Sequence, residues 1–126
     1  MALHAQQKAE LCAQVVYQAK AENIVVLDLR GISQITDFFV IASGDNPRML
    51  KAAARKLADE LRLHDEHPLG SEGLEAGQWV LLDFNDVIVH LFDEKVREYY
   101  DLELLWGDAL RITWQRPRPA QARSDE

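Results

Sequence analysis

The chain has 126 residues, 48% of them hydrophobic and 28% charged, the proportions of one globular domain with a core of its own. No apolar run approaches the ~20 residues that cross a bilayer and the N-terminus lacks the apolar stretch of a secretory signal, so a cytoplasmic protein without membrane contact is expected. A net charge of −7, rising to 10 basic against 19 acidic side chains over residues 1–110, makes the body a poor match for broad nucleic-acid binding and a better one for a basic protein surface.

Residues 3–21 place Ala9, Cys12, Val16 and Ala19 on one helical stripe, with Lys8, Gln14 and Gln18 facing elsewhere, which predicts an amphipathic helix ending near Asn23. Cys12 is the single cysteine. It excludes an internal disulfide, and its place on the stripe reads as a buried structural thiol. Ile24 to Leu29 is short and β-branched and predicts a central strand, and Phe38 to Ala42 predicts a second. Asn46 and Pro47 then open a helix as cap and first residue. Its stripe Leu50, Ala53, Leu57 and Leu61 is expected to cover one face of the sheet. Residues 68–73, Pro-Leu-Gly-Ser-Glu-Gly, read as a short irregular edge segment.

Trp79 to Trp106 encodes a strand, a turn, a strand and a helix. A loop at Asn85-Asp86, with positive φ expected at both residues, sets Phe84 opposite Val87, Leu82 opposite Val89 and Val80 opposite Leu91. That face is aliphatic core. The other face carries Trp79, Leu81, Asp83, Ile88, His90 and Phe92, too apolar for open solvent and too polar for an interior, and it calls for a cover or a partner. Asp93 caps a helix expected to run to Gly107, with Val96, Tyr99, Leu102 or Glu103, and Trp106 near one stripe and Tyr100 beside it. The order predicts an α/β or α+β fold, a mixed β-sheet of about five strands flanked by helices, as one domain over 1–110. A basic, Pro-containing tail at 111–126 is expected to be disordered.

Chemistry is weakly encoded. His64 and His67 flank Asp65-Glu66 in a spacing that matches no recognised zinc pattern, and a solvated loop is the better reading. No metal, cofactor or catalytic residue is assigned. Ser43-Gly44, between a strand and a helix, could hold phosphate, but no lysine stands nearby. A two-metal transferase needs paired carboxylates, and Asp83 and Asp28 have Asn85 and Arg30 where the second one belongs. What remains is an aromatic surplus with an acidic rim. Trp79, Tyr99, Tyr100, Leu102 and Trp106 with Glu72, Asp83, Glu98 and Glu103 read jointly as a binding surface for a basic partner. Taken singly, each aromatic is as well explained by an ordinary second core.

The segments DLRGISQITDFFVIASGDNPR (28–48), GSEG (70–73), WVLLDFNDVIVHLF (79–92) and REYYDLELLW (97–106) together resemble the Iojap family of ribosomal silencing factors over residues 3–107. The resemblance implies a nucleotidyltransferase-like topology without catalysis. It also implies binding to the large ribosomal subunit through ribosomal protein L-fourteen, a block of small-subunit joining, and repression of translation. Trp79 matches the family's exposed sheet tryptophan, and Tyr100, Leu102, Glu103 and Trp106 match its Tyr-x-Leu-Glu-x-Leu-Trp segment. The expected partner-binding set is Trp79, Leu81, Asp83, Tyr99, Tyr100, Leu102, Glu103 and Trp106. The resemblance also implies a homodimer as one state of the free protein. The tail lies outside the resemblance, and two readings of it stand: contact with ribosomal RNA through Arg111, Arg116, Arg118 and Arg123, or no role. The competing reading is a nucleotide-binding transferase acting through Ser43, Asp83 and Asp86.

Overall fold

The computed structural model describes residues 3–115. The elements are α1 (Ala5–Gln18), β1 (Glu22–Asp28), β2 (Phe38–Gly44), α2 (Pro47–Arg62), β3 (Gly70–Glu72), β4 (Trp79–Asp83), β5 (Val87–Asp93), α3 (Glu94–Tyr100), α4 (Leu102–Leu105) and β6 (Leu110–Ile112). They form one mixed sheet in the order β3-β4-β5-β2-β1-β6. Only β2 and β5 run parallel among these pairs. The fold is α+β as expected, with six strands rather than about five.

The hairpin register follows the alternation of its sequence. Val80 lies opposite Leu91 and Leu82 opposite Val89, and Val80, Leu82, Phe84, Val87, Val89 and Leu91 are all buried. They meet the stripe of α2 and the Ala9, Cys12 and Val16 face of α1 in one core. Burial there pushes the Cys12 thiol up, which keeps it protonated and inert. The turn departs from the expectation. Asn85 has φ 81°, while Asp86 is not among the residues at positive φ. Asp86 N–H donates to the Phe84 carbonyl, closing a tight γ-like turn about Asn85 that needs one left-handed residue instead of two.

Lys8 corrects the reading of α1. The helical stripe sets it on the solvent side, yet it is buried, with Nζ 2.6 Å from Asp86 Oδ1, 2.7 Å from Glu66 Oε1 and 3.3 Å from the Phe84 carbonyl. Burial acts to lower its pKa, but the hydrogen bonds to Asp86 and Glu66 outweigh that and the net direction is up. One charged side chain thus ties α1, the segment after α2 and the hairpin tip together. Helix periodicity cannot find it, because its partners are 58 and 78 residues away.

The boundary at residue 110 is also corrected. Arg111 and Ile112 belong to β6, pairing with Leu27 and Val26 of β1, and this gives β1 the interior position read from its sequence. Trp114 packs against the main core, its Nε1 donating to the Ile24 carbonyl at 3.3 Å. Of the expected tail, 116–126 lies outside the described residues, and so do Arg116, Arg118 and Arg123. No helix among the described residues is long and apolar enough to cross a membrane.

Candidate functional site

The second face of the sheet is covered only in part. Leu27, Leu29, Ile41 and Phe92 are buried there under Trp79, Val96, Leu102 and Trp106. The covering helix is not continuous. Asp101 adopts φ 47°, ends α3 and caps α4 by accepting from Leu104 N–H. The single helix expected to run to Gly107 is therefore replaced by two short ones.

Arg97 holds the break together. Its guanidinium donates to both oxygens of Glu103 at 3.0 Å and to Ser43 Oγ at 2.7 Å, a forked geometry that fixes orientation as well as charge. Glu103 is thereby committed to a bridge inside the molecule, with Arg111 4.0 Å away. Leu102 and Trp106 turn inward, and the Trp106 ring meets Phe39 edge-on at 5.8 Å. Both serve the covering layer.

Trp79, Tyr99 and Tyr100 come together. The Trp79 ring lies 4.8 Å from Phe92 and 4.7 Å from Tyr100, which meets Tyr99 at 5.1 Å. The series runs from a fully buried ring to Tyr99, 82% exposed. A groove of about 440 Å³ is lined by Trp79, Tyr99, Tyr100, Lys95, Val96 and the Ala76–Gln78 approach. On α4, Leu104 and Leu105 are 76% and 71% exposed. Neither belongs to the set expected from the sequence. The signal that could have found them is Asp101 followed by Glu103, a helix-start pattern inside what reads as one helix. Leu81 is half-buried opposite His90, and Asp83 lies four residues from Trp79 along β4, about 13 Å toward the hairpin tip.

His90 positions Trp79. The indole Nε1 donates to His90 Nδ1 at 3.1 Å; an indole N–H can only donate, so Nδ1 is unprotonated. Burial lowers the His90 pKa to about 4, and Nε2 has no hydrogen-bond partner among the described residues. The imidazole is a neutral bracket behind an aromatic surface.

The transferase constellation does not assemble. Ser43 pairs with Phe92 and Asp83 with Ile88, four residues apart along β5, or roughly 13 Å. Ser43 is buried and accepts from Arg97, Asp83 accepts from the Asn85 N–H, and Asp86 holds Lys8. Asp28 is forked by Arg30 at 3.0 and 2.8 Å, and that hydrogen bonding lowers its pKa. Among the described residues no group of three or more His, Cys, Asp or Glu converges as a metal site.

Comparison with known proteins gives these features a context. Residues 2–126 match the family model described as ribosomal silencing factor during starvation. A ribosomal silencing factor of Halalkalibacterium halodurans is 40% identical over 104 residues, covering 82% of this chain and 89% of that protein. One from Bacillus subtilis is 41% identical over 90 residues, covering 71% and 76%. The crystal structure of a Chromobacterium violaceum protein superimposes with a TM-score of 0.81 at 34% identity, covering 94% of this chain and 93% of that one. The chain belongs to the ribosomal silencing factor family, RsfS.

Proposed function

We propose that this protein docks on the large ribosomal subunit through ribosomal protein L-fourteen and, once there, prevents the small subunit from joining by its bulk alone. The observation that carries the reading is the partly uncovered aromatic face. Trp79, Tyr100 and Tyr99 form a graded aromatic surface, Leu104 and Leu105 expose further apolar area on the next helix, and water around such side chains is released when a partner covers them. Glu94, Glu98 and Asp101 are exposed on the same helix and its cap, where they line a neighbouring cleft, and with the net charge of −7 this acidity favours a basic partner and steers its approach. In this reading Trp79, Tyr99 and Tyr100 make contact, while Glu103, Leu102 and Trp106 hold the contact surface in shape. Repression needs no reacting group.

Sedimentation with isolated large subunits and with purified L-fourteen tests the docking step. Wild-type protein is expected to travel with both, and Tyr99→Ala combined with Leu104→Ala to lose more than ~1–2 kcal/mol of affinity, as central apolar contacts do. Undiminished binding by that variant would place the interface elsewhere.

A further inference from the structure

The net charge of −7 hides a segregation. Eleven Lys and Arg lie among the described residues; Lys8, Arg30, Arg62, Arg97 and Arg111 are ion-paired, which leaves six. Four of these six, Arg48, Lys51, Arg55 and Lys56, stand on the first half of α2. Arg48, Lys51 and Arg55 follow at i, i+3 and i+7, one stripe about 10 Å long, with Lys56 beside it. The first turn of α2 contains no acidic residue, so the positive end of the helix adds to the same field. Asp59 and Glu60 close the patch further along. No large apolar side chain is exposed on α2.

We propose that this outer face of α2 is a second docking surface and that its occupant is the phosphate backbone of ribosomal RNA. Lys51 and Arg55 also border a cleft with Pro68, Leu74 and Leu82, but α2 itself exposes no large apolar side chain. A line of unpaired cations along one helix face has the composition of a phosphate contact, which positions without reading sequence. A protein partner of the same footprint would have to fill that cleft with apolar contact as well. The inference rests on the docking reading above, since that reading brings the protein to an RNA-rich surface. The fold connects the two faces. Gly77, at φ 70°, lies so close to the start of α2 that a Cβ there would come within 2.6 Å of Pro47 and 3.1 Å of Lys51. The approach to β4 whose Ala76 and Gln78 line the aromatic groove is thus packed against the base of the basic stripe. A partner seated in the groove sets its neighbours beside α2.

The test is the salt dependence of binding to purified large subunits for the wild type and for Arg48→Ala, Lys51→Ala, Arg55→Ala and Lys56→Ala combined. These side chains are exposed or half-exposed and alanine favours helix, so circular dichroism is expected to be unchanged. The variant is expected to bind at least tenfold more weakly at low salt. Its plot of log affinity against log salt should be shallower by roughly 3–4, about one for each phosphate no longer neutralised. Fluorescence anisotropy with an isolated RNA duplex at low salt is the second arm, in which the wild type binds and the variant does not. Equal affinity and slope for the two proteins on subunits would overturn this inference and leave the docking reading standing. A variant defect on subunits with no wild-type binding to the duplex would overturn it in favour of an acidic protein. Failure of the wild type to bind subunits at any salt would remove the docking reading itself, and this inference with it.

Discussion

Lowering the pH is expected to attack this fold at a single imidazole. His90 is neutral in the folded protein because burial lowers its pKa from 6.5 to about 4, whereas in the unfolded chain it titrates near its ordinary value. Between these two values the unfolded state binds more protons. The stability present above the unfolded pKa is therefore lost progressively as the pH falls toward the folded one. At 1.36 kcal/mol per unit the loss approaches roughly 3 kcal/mol, a large share of the 5–15 kcal/mol typical of a domain. Carboxylates also titrate in this range, so the informative quantity is the difference between wild type and His90→Gln, which keeps an acceptor for the Trp79 indole without the titration. Urea unfolding of both proteins across the window is expected to show the wild type losing about 3 kcal/mol more. Tryptophan emission of the folded protein should change only as the pH falls through about 4, because protonated Nδ1 cannot accept from Trp79. Parallel stability curves would refute the assignment of a buried neutral His90 behind the aromatic groove.

Lys8→Met leaves the partly buried carboxylates of Glu66 and Asp86 unpaired, with side-chain exposures of 14% and 29%, and the fold is expected to lose about 2–4 kcal/mol in urea unfolding. Adding Asp86→Asn should restore part of that, and no recovery would mean that Lys8 acts by packing alone. Because its folded pKa is raised, the Lys8 contribution is full below the unfolded value of 10.5 and is lost as pH rises through the folded one. Trp114→Ala removes a half-buried ring packed on the core and tilted against Tyr17 at 5.7 Å. A loss of about 1.5–3 kcal/mol is expected in thermal unfolding, and a neutral result would return residues 111–115 to the tail expected from the sequence.

Periodicity carries most of the fold. The alternation from Val80 to Leu91 sets the hairpin register, and Asn46-Pro47 announces α2, because both signals lie within a few residues of the structure they specify. The failures share the opposite property. Lys8 looks solvent-facing on α1 until Asp86 and Glu66 are brought to it by tertiary packing. Strand β6 is three residues long and makes sense only as a cover for β1, far back in the chain. The left-handed Asp101 hides within an apparent helix, and with it go Leu104 and Leu105 on the surface and the inward turn of Glu103. The aromatic surplus is legible as a surface, but composition does not separate rings that contact solvent from rings that support them. Net charge likewise averages away the basic face of α2.

The central claim is that the aromatic face makes a block of subunit joining by docking, and light scattering of small and large subunits mixed in the presence of this protein measures it directly. Wild-type protein is expected to suppress the association signal, and the Tyr99→Ala, Leu104→Ala variant, whose replaced side chains are 82% and 76% exposed, to require at least tenfold more protein with an unchanged melting curve. A folded variant that blocks joining at wild-type potency would contradict the account.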